Sequence, residues 1–267
     1  MDKDKHSQEE DTRPFVAPCR AIPPSAPLRW LRKGWQDFRA APGPSLTYGV
    51  IMVGVSYLIT AVTWWFGNIG LYLGLISGFV FLGPILALNL YGISIQIQQN
   101  RKPGLAESLH QARHCIGDAL TYTVIMIVVF LIWARAANLI YIFYPVNEWH
   151  WQDIALFFGV GSSVGAVFCA IIFTASAFSL PMIMDRRTDM VTGVITSINA
   201  VLRNKLALFV WATLIGVCLL AGLLTAYLGL AVLLPVLGYA TWHGYREAID
   251  ASEWEARFEL PPEEETG

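Results

Sequence analysis

Few side chains in this sequence are placed to do chemistry, and those that are stand in or beside long apolar tracts. Arg135 is the one charge inside a stretch expected to lie in a bilayer core. A guanidinium at that depth costs about 2.5–3.5 kcal/mol on insertion scales unless something relieves it. Asn138 follows it by one helical turn on the same face, and Glu148 or Asp153 of the next loop could fold back as its counter-ion. Such an arginine either recognises an anionic solute or lipid group, or snorkels and pairs structurally with helix carbonyls; the residues leave both readings open. Asn89, in another apolar tract, offers a neutral group that a solute could bond. His243, in Trp242-His243-Gly244-Tyr245-Arg246, is of a residue type that could sense pH or hold a ligand, but beside two aromatics it also suits an amphipathic anchor.

Two further patterns look more chemical than they are. Glu107, His110 and His114 share one helical face, and Glu-x-x-His occurs in di-iron helices, but such sites draw matching ligands from several helices inside a core. The face here is expected to be wet, so the trio is a weak metal candidate and no metal or other cofactor is assigned. Gly161-Ser162-Ser163-Val164-Gly165 fits the G-x-S-x-G pattern, with His243 as the base that Ser163 would need. Expected depths in the bilayer separate the two by about 10 Å, whereas a nucleophile and its base meet near 3 Å. No catalytic set emerges, and the chain is expected not to be an enzyme.

The elements that must position these residues are helices in a membrane. Of 267 residues, 55% are hydrophobic and 14% charged, a balance far from that of a soluble domain. No residue between Arg39 and Arg101 is charged, and that tract as one helix would reach roughly 90 Å, about three hydrocarbon cores. It is expected to fold back at Gly67-Asn68, giving helices over about 46–66 and 69–97. The tract from Leu206 to Tyr245 is expected to turn near Tyr227–Gly229, and helices over about 119–144 and 154–184 complete six crossings. Of 18 basic residues all but Arg135 fall in the N-terminal segment, residues 101–113, residues 186–205 or the C-terminal segment. These lie on one side of a six-helix layout, so the positive-inside rule places both termini in the cytoplasm. The net charge of −2 reflects this segregation and suggests no nucleic-acid partner. The four cysteines form no framework, since two face the reducing cytoplasm and two lie within helices.

Residues 28–39, 105–117 and 191–204 read as amphipathic helices in the cytoplasmic interface, with apolar faces Leu28/Leu31/Trp35/Phe38, Leu105/Leu109/Ala112/Ile116 and Val191/Val194/Ile195/Ile198/Leu202. Each precedes a hairpin whose second helix carries a proline phrase, at Pro84, Pro181 and Pro235. The expected fold is therefore all-α and polytopic: six transmembrane helices in three hairpins, each led by an interfacial helix, as a threefold repeat. Residues 1–27 and the acidic 249–267 are expected to be cytoplasmic tails around a membrane domain spanning 28–248.

The phrases SGFVFLGPILALNLYGIS (77–94), FSLPMIMDRR (178–187) and LPVLGYATWHGYR (234–246), in that order, resemble a bacterial family of predicted integral membrane proteins, domain of unknown function 2189. The resemblance extends over roughly residues 28–248 and implies a bacterial inner-membrane location, with no established activity, cofactor or catalytic residue. The leading expectation is a non-enzymatic protein that works by binding, as an accessory to another inner-membrane complex or as a scaffold for membrane lipids. The alternative is a transporter or channel for a small solute, anions included, with Arg135 as its recognition charge. Against the alternative, the expected cores hold no acid or histidine relay for coupled transport.

Overall fold

A computed structural model describes residues 15–66, 86–143 and 151–258, with side chains placed for all of these except 140–143 and 152–154. The helices are α1 (Ala26–Ala40), α2 (Pro42–Phe66), α3 (86–98), α4 (Leu105–Arg113) and α5 (Ile116–Phe143), followed by α6 (Trp151–Ser176), α7 (Ser179–Asp185), α8 (Met190–Arg203), α9 (Lys205–Leu224) and α10 (Leu230–Ala248). Local signals set several ends. Pro27 sits in the first turn of α1, where its missing N–H removes no helical bond. The Asp189 side chain caps α8 by accepting from Thr192 N at 2.7 Å. The expected turn near Tyr227 is present. Ala226 and Tyr227 adopt φ of 50° and 68°, and Tyr227 N reaches back to Gly222 O at 3.0 Å, which closes α9 and starts α10.

Four described helical stretches are long and apolar enough to cross a membrane: Pro42–Phe66, Ile116–Leu139, Ala155–Asp185 and Lys205–Leu224. This corrects the expected six crossings in a threefold hairpin repeat. The sixth expected span is α10, which carries His243, Arg246 and Glu247 and is packed inside protein along most of its inner half. Of the second expected span, residues 69–85 lie outside the described residues. Its remainder, α3, is buried at every position from Leu88 to Gln96. The reason for the difference is physical. A charge-free tract suits a helix facing lipid, and it equally suits a helix enclosed by other helices, so tract length alone counts both as crossings.

The three short amphipathic segments are helical, and each also packs a second face on protein. α1 buries Trp30, Gly34, Asp37 and Phe38 and leaves Leu28 and Trp35 exposed; α8 buries Thr192, Thr196, Ser197 and Ala200 and exposes Val191 and Leu202. In α4 the buried residues are Ser108, Gln111 and Ala112, while Leu109 is exposed. Apart from Trp30 and Phe38 of α1 and Met190 and Val201 of α8, small and polar side chains thus face protein while large apolar ones stand outward, unlike a water-soluble helix. A lipid or interfacial exterior accounts for this, because apolar surface needs no burial there and small residues let helix backbones approach.

The core is organised on α10, along which α1 runs antiparallel. A Cβ on Gly34 would stand 2.6 Å from Val236 O, and one on Gly49 of α2 would stand 1.9 Å from Ala231 O, so both glycines permit backbone contact with α10. Trp30 is fully buried and meets Phe178 and Trp211 edge-on, at ring-centroid distances of 6.1 and 5.6 Å. That contact ties α1 to α9 and to the α6–α7 junction.

The junction itself has an identifiable cause. Pro181 has no N–H for the Ala177 carbonyl, and the Ser197 hydroxyl enters the ladder one turn earlier. Ser197 Oγ donates to Thr174 O at 2.9 Å and accepts from Phe178 N at 3.1 Å, replacing the helical bond between those two groups.

Residues 15–25 and 249–258, which the sequence reading placed in tails, lie against the helices. Arg20 N donates to Ala248 O and Asp250 N to Pro18 O, both at 2.8 Å, and the Asn204 side chain accepts from Ile22 N at 3.0 Å. The two ends of the described chain therefore meet on one face of the molecule.

Candidate functional site

Asp37 is the polar centre of the helix core. It falls on the α1 face that carries Trp30 and Gly34, seven and three residues earlier, and so turns toward α10 instead of water. Its Oδ2 accepts from Ser94 Oγ of α3 at 2.7 Å and stands 2.9 Å from His243 Nε2 of α10. The side chains of Asp37 and His243 are 10% and 12% exposed, so this pair is largely shielded from water. One carboxylate oxygen thereby joins three helices. Next to it, Tyr239 OH and Ser45 Oγ are 2.7 Å apart, and Ser45 Oγ also donates to Ala41 O. At the far end of α1 the Glu247 carboxylate holds Arg29 through one oxygen and Trp30 Nε1 through the other, the latter at 2.9 Å.

Ser94, His243 and Asp37 have the composition of a hydrolytic triad but not its order. In a triad the imidazole lies between hydroxyl and carboxylate, so that it can take the hydroxyl proton. Here the carboxylate lies between the other two, and the serine spends its proton on Asp37. The arrangement holds helices in register and activates no nucleophile.

A second charged cluster closes the same end of the molecule. Asp185, 1% exposed at the end of α7, accepts from Tyr245 OH at 2.7 Å and from Arg186 Nε at 3.0 Å, with Arg246 at 3.6 Å. Burial, and then the Asp185 charge, push the Tyr245 phenol well above its ordinary value, so it remains a donor. Arg257 reaches back from the C-terminal segment. Its Nε lies 3.0 Å from the carbonyls of both Ile183 and Arg186, and its Nη2 is 3.6 Å from Asp118.

The residues singled out from sequence are dispersed over these elements. His243 is in the Asp37 cluster. Asn89 is buried on α3; its carbonyl accepts from Ser108 Oγ, while its side-chain Oδ1 has no partner among the described residues. Arg135 and Asn138 lie on an exposed face of α5, where Asn138 Nδ2 donates to Ala134 O of its own helix at 3.1 Å. No described contact joins either to Asn89 or His243. Glu148 and the Asp153 side chain lie outside the described residues. His110 and His114 stack edge-on at 5.7 Å, and among the described residues no group of metal-binding side chains includes them or Glu107. Ser163 Oγ donates to Gly159 O of its own helix.

Sequence reasoning missed Asp37, Ser94, Asp185 and Arg257. The signal for Asp37 was its spacing from Trp30 and Gly34. The sequence reading follows the apolar stripe of Leu28, Leu31, Trp35 and Phe38 into the membrane interface and assigns no protein contact to the face that carries Asp37.

Comparison with curated proteins and with solved structures yields no match. Residues 71–185 match the family described as predicted integral membrane protein (DUF2189), in agreement over that stretch with the resemblance read from the phrases at 77–94 and 178–187.

Proposed function

We infer that this integral membrane protein is a non-enzymatic accessory of the bacterial inner membrane, which works by binding another membrane protein or by holding lipid. One observation carries the reading. The charged side chains of the core are paired with other core groups, in the Asp37 and Asp185 clusters, whereas the four apolar stretches have at most 22% of their most apolar window buried against described residues. The molecule is a polar-locked assembly that presents large apolar flanks. Such flanks suit lateral contact with lipid chains or with another membrane-embedded surface.

Both termini are taken to be cytoplasmic. The basic residues that precede the first apolar stretch, among them Arg29, Arg32, Lys33 and Arg39, support this, as does the pairing of residues 18–20 with 248–250, which brings the two ends to one face.

The test places a photo-reactive residue at exposed positions of each apolar stretch, Val50, Leu131, Val167 and Leu220, in cells expressing the protein at its natural level. A discrete adduct with a second protein from one flank, absent from the others, is the expected outcome. Adducts with bulk lipid alone, equal at all four positions, would remove the accessory reading.

A further inference from the structure

The inner face of α1 is fixed to α10 at both ends, by Asp37 with His243 and by Glu247 with Arg29 and Trp30. A helix held in this way cannot rotate about its axis, so its outward face is determined. That face is a single stripe, Leu28, Arg32, Trp35 and Arg39, at spacings of four, three and four residues, and all four side chains are exposed. Lys33 and Gln36 flank it. Among the described residues Arg32, Lys33 and Arg39 have no carboxylate within ion-pair distance. Trp35 stacks on Phe38 with 5.4 Å between centroids, which steadies the indole within the stripe.

The geometry points to a binding site for the headgroups of anionic phospholipids along this stripe. Arg39 precedes Pro42, the first residue of an apolar stretch, by three residues, across the non-helical Ala41 that separates α1 from α2. That position sets its guanidinium beside the start of the stretch, at headgroup level. Arg32 lies two turns earlier on the same face, so the two guanidinium groups bracket Trp35 along about 10 Å of helix. Trp35 is the side chain suited to the boundary between acyl chains and headgroups, and Leu28 adds apolar surface to insert beside it. Guanidinium groups form two parallel hydrogen bonds to a phosphodiester, and basic side chains near a membrane surface are attracted to acidic lipid. The positive-inside distribution alone would be met by basic residues in any arrangement. What marks this segment is the alternation of basic and amphipathic side chains on one face, with the opposite face locked.

The proposal deepens the binding reading above by naming the lipid class, and its test needs no protein partner, so the failure of one is distinguishable from that of the other. The full chain is reconstituted into nanodiscs of phosphatidylcholine alone, or of equal parts phosphatidylcholine and phosphatidylglycerol, and thermal unfolding is followed. The expected result is a higher Tm in the acidic discs, a difference that disappears in the R32Q/K33Q/R39Q variant while its Tm in phosphatidylcholine stays that of the wild type. An R32K/R39K variant is expected to keep part of the difference, since charge remains but the paired hydrogen bonds do not. Should the triple variant not insert, R32Q and R39Q singly are each expected to reduce the difference. An equal gain in the wild type and the variants would place the acidic-lipid effect elsewhere, and no gain in the wild type would overturn the site.

Discussion

Removing the His243 contact from Asp37 is expected to loosen α1 from α10 by a measurable amount. Asp37 Oδ2 takes part in two contacts, with Ser94 Oγ at 2.7 Å and His243 Nε2 at 2.9 Å, in a site where both ends of the pair are nearly closed to water. A hydrogen bond to a charged partner contributes about 1.5–3 kcal/mol, and breaking a buried pair from one side costs about 3–5 kcal/mol because the other member stays buried without its partner. Asp37→Ala ends both contacts and is expected at the upper end, near 4 kcal/mol. Asp37→Asn keeps an acceptor for Ser94 and is expected to lose about 2 kcal/mol. A double-mutant cycle with Asp37→Asn and His243→Phe isolates the pair, and its coupling is expected to be about 2 kcal/mol. Reversible unfolding of the detergent-solubilised protein by a denaturing detergent measures it. A coupling under about 0.5 kcal/mol, the level at which independent sites already add, would refute the claim that this pair fixes α1.

Other substitutions test the packing. Gly49→Ala, whose new Cβ would stand 1.9 Å from Ala231 O, is expected to cost at least about 3 kcal/mol or abolish insertion, whereas Gly43→Ala, with nothing within 4 Å, is expected to be neutral or slightly stabilising. Comparing the yields and unfolding temperatures of the two variants checks this. Arg257→Gln gives up contacts with three carbonyls, of Ile183, Arg186 and His114, and with Asp118, and is expected to cost about 3 kcal/mol and to release residues 249–258 to protease, read by mass spectrometry of the fragments. Cys115 is fully buried and its thiol is pushed up to about 11, chiefly by burial, so at pH 8 only about a thousandth would be thiolate. It is expected to resist alkylation until the protein is unfolded; rapid labelling of the native protein would contradict its placement.

The sequence made the helical class, the membrane setting and the places of the short helices legible, because each depends on composition and period within one segment. Apolar runs identified α2, α5, α6 and α9, and the turn at Tyr227 stood out between two apolar stretches. What a single sequence does not carry is the identity of a helix's neighbour. α3 and α10 have the apolar composition of spans, yet their surroundings are protein, and nothing in the residue types from Leu88 to Gln96 separates the two cases. For the same reason the sequence gives no sign of the second, protein-facing side of α1, α4 and α8. The rule that the larger apolar stripe is buried holds in water, and at a membrane it points outward. Asp37 and Asp185 were hidden because each acquires meaning only through partners more than fifty residues away, as with Ser94 and Tyr245.

The claim that the protein works by binding through its apolar flanks and lipid-facing stripe is tested most directly by the composition of the particle taken from its own membrane. The protein, expressed at its natural level, would be excised with a bilayer-solubilising polymer that leaves surrounding lipid in place, purified, and measured intact by native mass spectrometry. The account predicts a mass above that of the chain alone, either by one defined protein partner or by a fixed number of retained acidic lipids. A particle that releases the bare chain, with no protein and no lipid held in constant number, would contradict it.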